Sequence, residues 1–385
     1  MKVTGARTTL FQTDLPRALG DSNLPGGTSR TASCALVLET DEGLTGVALA
    51  SPSSVASIEF LLPVVIGADP RGVRGLWQRL VDQVFKVGFV GVAAEAISAI
   101  DVALWDLKAK AAGEPLWMTL GAKAEDTKVA AYASGLDLPL NKDQLRAFYR
   151  EMAGRGFFRG KLKVGLDQDA DLERLAIVRE ELSINSKRPV LMIDANEIWS
   201  PKQAIQRITE FESKFDLTWV EEPARRWDYR GLRKVSQTVR SAVASGENLQ
   251  NVSQFMPLIS NEAIDIVQIS SGCGGITGAL QVAEVANAFN LPVAFMSSAG
   301  NFLAHLAAAI PNHSALEVID LEWHRGVIRT DTRIEGGSIV LGNAPGNGLS
   351  IDEEALQLAL VEKPSPDALF GGSIYRRPRG AGFAI

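Results

Sequence analysis

The sequence predicts an α/β protein: a (β/α)8-type TIM barrel behind an N-terminal α+β capping domain, with the C-terminal tail returning to complete the cap. Three observations carry that expectation. After Ala122, short β-rich apolar runs alternate eight times with helix-like stretches, a rhythm that pairs strands in parallel through right-handed crossovers. Before Ala122, two strand-like runs are followed by a long helical pattern, the order of an α+β unit. At 385 residues the chain is too long for one small domain and has the length of a barrel with an appendage.

The elements follow in order. Residues 2–11 and 32–40 read as strands, the second closed by the turn Asp41-Glu42-Gly43. Between them, residues 20–28 form a Gly/Pro-rich loop long enough to cover a pocket. In residues 93–112, AAEAISAIDVALWDLKAKAA, the side chains Ile97, Ile100, Ala103, Leu104 and Leu107 recur at helical spacing, and Gly113 and Pro115 end the helix. The eight barrel strands are expected at 129–134, 160–164, 190–194, 217–221, 242–247, 263–270, 293–297 and 315–319. Beyond about residue 350 comes a helix and then a Pro/Gly/Arg-rich end. The expected division is a cap at 1–122, a barrel at 123–350 and a segment at 351–385 that packs back on the cap.

Composition removes several function classes. Hydrophobic residues make up 46% and charged residues 22%, enough apolar material for a core and far from a disordered chain. The formal charge of −6 gives no bulk attraction to nucleic acid or to an anionic membrane. The opening residues lack the apolar core of a secretory signal. The most lipid-like stretch, residues 291–310, is broken by Pro292 and Gly300 and carries Ser297, Ser298, Asn301 and His305, so it reads as a strand followed by a helix. Two cysteines, Cys34 and Cys273, make no disulfide framework. The expectation is a cytoplasmic protein that engages neither nucleic acid nor membrane and assembles as a symmetric homo-oligomer.

In a barrel, chemistry belongs to the C-terminal strand ends. Three consecutive strands end in acids: Asp194 in MIDAN, Glu221 in WVEEP and Glu247 in ASGEN, spaced 27 and then 26 residues apart. Three clustered carboxylates repel one another. A hard divalent cation relieves that repulsion, and a set of oxygen donors without His or Cys suits Mg²⁺, with Mn²⁺ as a substitute, rather than zinc. On the second strand, Lys161 and Lys163 alternate to the same side. Opposite metal-bound carboxylates, one can hold an anionic substrate. The other, with its pKa lowered by the neighbouring ammonium and the metal, can serve as a general base.

These motifs resemble the enolase superfamily in its mandelate racemase subgroup. The likeness runs through AISAIDVALWDLKAKAAGEPLWMTLGA (96–122), GKLKVG (160–165), LMIDANEIWS (191–200), LTWVEEP (217–223) and SGE (245–247). The resemblance implies that Asp194, Glu221 and Glu247 ligate Mg²⁺ and that Lys163 removes the proton α to a carboxylate that Lys161 contacts. It also implies that Asn196 sits beside the metal and that Glu317 hydrogen-bonds the substrate carboxylate. The sequence departs from the subgroup at a His-Asp dyad: Ser270 stands at the strand-six position and Ala299 at the strand-seven position. Of the three histidines, His305 reads as helix packing, and His313 and His324 as loop residues. One strong base suits syn elimination, so the resemblance implies dehydration of an acid sugar to a 2-keto-3-deoxy acid. Racemisation or epimerisation, and lactone cycloisomerisation, are the alternatives, and a non-catalytic sugar-acid binder is the competing class.

Substrate contacts are expected from the loops around the mouth. Asp21, Ser22 and Asn23 lie in the first cap loop, Ser51, Ser53 and Ser54 in the second, and Ser270, Ser298 and Asn301 follow strands six and seven. These hydroxyl and amide groups favour a polyol acid over an aromatic one. Arg225, Arg226 and Trp227 after strand four are further candidates. The run Gly272-Cys-Gly-Gly-Ile-Thr-Gly278 lacks the third glycine of a dinucleotide loop and follows a late strand, so it reads as a plain turn.

Overall fold

The long first hairpin explains how the cap reaches the barrel mouth. In the computed structural model, which describes residues 1–319 and 326–368, β1 (Val3–Leu19) and β2 (Thr28–Thr40) pair antiparallel from Val3↔Thr40 to Leu19↔Thr28, with an irregularity between Asp14 and Leu19. Both strands extend further toward the tip than the sequence pattern indicates. Ladder hydrogen bonds carry them through Gln12, Thr13 and Asp14, where no apolar alternation advertises a strand. The Gly/Pro-rich segment is therefore a hairpin tip. β3 (Thr45–Ala50) pairs with the other edge of β2.

Three helices back this sheet: α1 (Val55–Leu61), α2 (Val73–Gln83) and α3 (Gly91–Ala112). α3 is buried on most of its circumference, from Ala93 to Ala109. A helix apolar all round must be enclosed on several sides, and α3 lies between the cap sheet and the barrel helix Gly275–Ala288. That second contact is polar at one point. Asp101 accepts from Thr277 N at 2.8 Å and from Thr277 Oγ1 at 2.6 Å, and Trp105 Nε1 donates to the same hydroxyl at 2.9 Å. Trp77 Nε1 donates to Gly274 O at 2.8 Å. Gly275 has φ +70°, and a Cβ there would meet Asp101 Oδ2 at 2.6 Å. The glycine-rich turn after strand six thus receives the cap helix.

The barrel strands are β4 (Lys128–Ser134), β5 (Arg159–Lys163), β6 (Val190–Asp194), β7 (Leu217–Glu221), β8 (Ala242–Ser245), β9 (Ile266–Ile269), β10 (Val293–Phe295) and β11 (His313–Val318). Each pairs in parallel with the next, and Leu316↔Ala131 to Val318↔Ala133 closes the cylinder. All eight fall where the sequence predicts, although β9 and β10 are shorter than their apolar runs. Tyr132, Met192, Trp219, Ala244, Ile266, Ala294 and Ala315 fill the interior. Counting two residues onward from this layer brings Asp194 and Glu221 to the mouth.

The later segments fasten barrel and cap. Ser338–Val340 pairs antiparallel with the first half of β4. The helix Glu353–Ala359 lies against β1, where Arg7 and Glu353 form an ion pair at 2.7 Å and Val361 N donates to Leu10 O at 3.2 Å. His324 and the Pro/Gly/Arg-rich end lie outside the described residues. Among the described residues, no helix is long and apolar enough to cross a membrane.

Candidate active site

Lys161 and Lys163 enter the barrel interior side by side on β5 and are almost wholly buried. Two ammonium groups stay there only with compensating charge. Lys161 Nζ meets Glu221 Oε1 at 2.6 Å, Glu317 Oε1 at 2.9 Å and Asp194 Oδ2 at 3.5 Å. Lys163 Nζ is paired with Asp194 Oδ2. Glu221 also accepts from Trp219 Nε1 at 3.3 Å and from Gln268 Nε2, and Glu317 Oε2 accepts from Ser297 N at 3.2 Å. Beneath them, Lys161 Nζ lies 5.3 Å from the Tyr132 ring centre, within cation–π range.

The strand carrying the lysines is clamped from behind. Asp137 Oδ1 accepts from Lys163 N at 3.1 Å and from Arg174 Nη2 at 3.0 Å, while Arg174 Nη1 donates to Lys163 O at 2.8 Å. Tyr149 OH donates to Lys161 O at 2.6 Å. These buried partners fix the backbone from which both ammonium groups project.

Electrostatics divide the acids. Burial raises Asp194, but Lys163 and Lys161 outweigh it and hold its carboxyl at about 2. Burial, followed by the Asp194 charge, pushes Glu221 well above the ordinary range. Burial likewise lifts Glu247 to about 7, against the pull of Lys163. The lowered pKa expected of the base depends on a cation at the carboxylates; with Asp194 facing it directly, Lys163 is held the other way. Burial lowers it and Lys161 lowers it further, yet the Asp194 carboxylate, with Glu247 and Glu221 behind it, holds the ammonium above its usual value.

A hard divalent cation fits the donor chemistry here. Asp194 and Glu221 are register partners on adjacent strands, and Glu221 pairs in turn with Ala244, just before Glu247. Gly246 has φ +130°, and a Cβ there would meet Phe255 Cε1 at 2.5 Å and Gln268 O at 2.6 Å. Only glycine takes this bend comfortably, and the bend is what turns Glu247 into the mouth. Asn196, next to Asp194 and with φ +45°, has a buried Oδ1 without a hydrogen-bond partner. Among the described residues, no three His, Cys, Asp or Glu side chains have converged as in a loaded centre. The lysines hold Asp194 and Glu221 instead.

Above these groups lies a cavity of about 420 Å³ lined by Lys163, Asn196, Glu247, Glu317, Asp21, Ser270 and Ser298 among others. Two of the expected contacts have other employment. Ser22 is buried and donates to Val164 O, and Asn23 Nδ2 donates to Asn196 O at 3.0 Å, so both dock the hairpin tip onto the ends of β5 and β6. Asn301, at φ +56°, sits in a tight turn beside the cavity wall, its N–H donating to Ser298 O at 2.9 Å. Arg225 and Arg226 pair with the buried Glu197 at 3.2 and 2.9 Å and flank Trp227. His305 is fully buried, accepts from Trp117 N at 3.0 Å, and is pushed down to about 4 by burial. His313 begins its strand, at the opposite end of the barrel from the acids. Burial lifts the Cys273 thiol to about 12, which leaves it without nucleophilic character near neutral pH.

Sequence reasoning gave no notice of Gln268, Asn248 or Glu95. Gln268 was legible in retrospect, as a polar residue amid the apolar run IVQI. Asn248, which donates to Glu222 Oε1 at 3.0 Å and Glu247 Oε1 at 3.3 Å, and Glu95, which lines the cavity from α3, carry no comparable signal beyond polarity.

Residues 8–121 match the mandelate racemase/muconate lactonizing enzyme N-terminal domain, and residues 144–355 match the enolase C-terminal domain-like family. The chain belongs to the mandelate racemase/muconate lactonizing enzyme family of the enolase superfamily. Within that family it is 30% identical to the 3,6-anhydro-α-L-galactonate cycloisomerase of Streptomyces coelicolor, over 91% of this chain and 97% of that protein. It is 32% identical to the L-talarate/galactarate dehydratase of Salmonella typhimurium, over 76% of this chain and 72% of that protein. Among solved structures, a racemase from Streptomyces coelicolor with bound magnesium superposes with a TM-score of 0.85 at 28% identity, covering 93% of this chain and all of that one. The L-talarate dehydratase of Polaromonas, complexed with Mg and L-glucarate, gives 0.84 at 29% identity, covering 94% and 98%. The relatives thus include acid-sugar dehydratases and cycloisomerases, together with a hydrophobic dipeptide epimerase of Enterococcus faecalis, 28% identical over 84% of this chain and 93% of that protein.

Proposed function

We propose that this protein removes the proton α to the carboxylate of an acid sugar and eliminates the β-hydroxyl on the same face, giving a 2-keto-3-deoxy acid. The observation that carries the reading is Lys163: it lines the cavity, it projects from the clamped strand, and no described histidine joins it there. Lys163 would become a free amine once a cation at Asp194 offset the carboxylate that holds its proton; in the proposed cycle that amine takes the α-proton, and negative charge develops on the substrate carboxylate. Lys161 faces that charge with a fixed ammonium, the kind of preorganised group that contributes most to catalysis. The C–O bond at the β-carbon then breaks. The departing hydroxide takes the proton back from the Lys163 ammonium and leaves as water, and the enol tautomerises to the ketone. Glu317 orients Lys161 and hydrogen-bonds the bound acid. Asp194, Glu221 and Glu247 would hold Mg²⁺, with Asn196 beside it. When bound, the ion would supply positive charge at the substrate carboxylate and neutralise the three acids. On this reading the chemistry belongs to the barrel that begins near residue 123, while residues 1–122 and 351–368 build the cap.

Proton NMR in D₂O with Mg²⁺, over a panel of aldonic and aldaric acids, tests the proposal. Loss of starting acid with growth of a 2-keto-3-deoxy product is expected. Exchange of the α-proton without elimination would remove the dehydration and keep the proton abstraction; retention of every α-proton would remove both. A second reading, cycloisomerisation, is favoured by the similarity to the anhydrogalactonate cycloisomerase over nearly its full length. It would show as an isomeric product with no water lost.

A further inference from the structure

Glu95, the fifth residue of α3, lines the cavity from the cap side together with Ser33, Ser51 and Ser98. Its carboxyl takes hydrogen bonds from Ser51 and Ser53, while its Oε2 is buried without a partner. The proton-transfer chemistry makes no use of it. Among the described residues that line the cavity, Lys163 is the one cation, whereas Asp21, Glu95, Glu247 and Glu317 are acids. Glu247 and Glu317 have roles at the reacting end, and Asp21 Oδ1 caps the backbone N–H groups of Asn23 and Leu24 at 2.7 and 3.1 Å. Glu95 is left as a carboxylate of the cap-side wall with acceptor capacity to spare.

We propose, resting on the acid-sugar reading above, that Glu95 with Ser51 and Ser98 forms the subsite for the far end of the substrate and selects an uncharged polyol end, so that the protein takes aldonic monoacids in preference to aldaric diacids. A carboxylate accepts hydrogen bonds from sugar hydroxyls, and Ser51 and Ser98, whose own protons go to Glu95 and to Ala94 O, accept them as well. A second substrate carboxylate would face Glu95 across a site of lowered dielectric, where like charges repel strongly. Burial already raises the Glu95 carboxyl above its ordinary range, so another anion beside it adds to an existing cost. No described cation of the cavity wall is free to offset that charge, since Lys163 faces Asp194 at the reacting end.

The test compares three matched pairs, gluconate/glucarate, galactonate/galactarate and mannonate/mannarate, on the Mg²⁺-loaded full chain. Binding is measured by calorimetry on Lys163→Ala and on Lys163→Ala/Glu95→Gln, and turnover by NMR on the wild type and Glu95→Gln. The best aldonate should bind at least about tenfold more tightly than its aldarate, and Glu95→Gln should shrink that ratio about tenfold, mainly through tighter aldarate binding. Glu95→Ala, which removes the charge together with the side chain, should shrink it in the same direction. Preference for the aldarate, a ratio unmoved by both substitutions, or no binding of any pair overturns the proposal. A ratio that shifts in binding while no α-proton exchanges in the wild type keeps the subsite and overturns the proposed reaction.

Discussion

Lys163 and Glu247 respond to opposite aspects of the same crowded charge cluster. Lys163→Ala should cut α-proton exchange by at least about a thousandfold, within the range for a lost general base. Its thermal unfolding and Mg²⁺ binding should persist, because Lys161 remains 3.5 Å from Asp194; exchange at the wild-type rate would show that another group is the base. Glu247 has its carboxyl lifted to about 7, first by burial, and a metal ligand must be deprotonated to bind. Mg²⁺ affinity should therefore rise with pH between about 5.5 and 7.5. Glu247→Gln should both weaken binding and flatten that rise. Calorimetric titrations at several pH values would show it, and a steep rise surviving in Glu247→Gln would assign the titration elsewhere. These positions were legible because a charged residue ending an apolar strand has few structural explanations, and three at one-unit spacing have fewer. Ser22 and Asn23 read equally well as substrate contacts, yet their partners are main-chain carbonyls, which sequence patterns do not register.

At the scale of elements, the turn after β8 decides where a ligand points. Gly246→Ala would set a Cβ against Phe255 and the Gln268 carbonyl in a backbone region L-residues avoid. The expected outcome is Mg²⁺ affinity reduced about tenfold or more, with a modest loss of stability of about 1–3 kcal/mol. Unchanged affinity would mean that Glu247 reaches the mouth without that bend. The eight barrel strands were readable from apolar runs because both of their faces are covered. The far halves of β1 and β2 were not readable, since residues 12–14 are polar and owe their strand conformation to ladder pairing with residues 30–32. Residue alternation also placed Lys161 and Lys163 together, whereas the clamp of Asp137, Tyr149 and Arg174 joins three separate segments and has no local signature.

For the whole molecule, the seam between cap and barrel carries a pH dependence. Burial lifts Asp101 to about 7 despite its bonds from Thr277. An unfolded aspartate loses its proton near pH 4, while the folded one keeps it to about 7. Between those values the folded state binds more protons, so stability from this group is fully present below about pH 4 and is lost as pH rises to about 7. Asp101→Asn should flatten this slope in denaturant titrations at pH 5 and pH 8. An unaltered slope would mean that Asp101 is ionised throughout. The glycine-rich turn at this seam reads from sequence as a plain turn, and its partner on α3 could not be foreseen, because 176 residues separate Asp101 from Thr277.

The contact between β1 and the segment 353–361 also orders events during synthesis. β1 is made more than three hundred residues before the segment that comes to lie along it. Until then one edge of a long strand stands open, the kind of surface on which nascent chains pair with one another. The barrel can close without those residues, since its last strand ends at Val318. Cap maturation is therefore the late step in biogenesis, and slow translation before residue 353 should favour aggregation through the first hairpin.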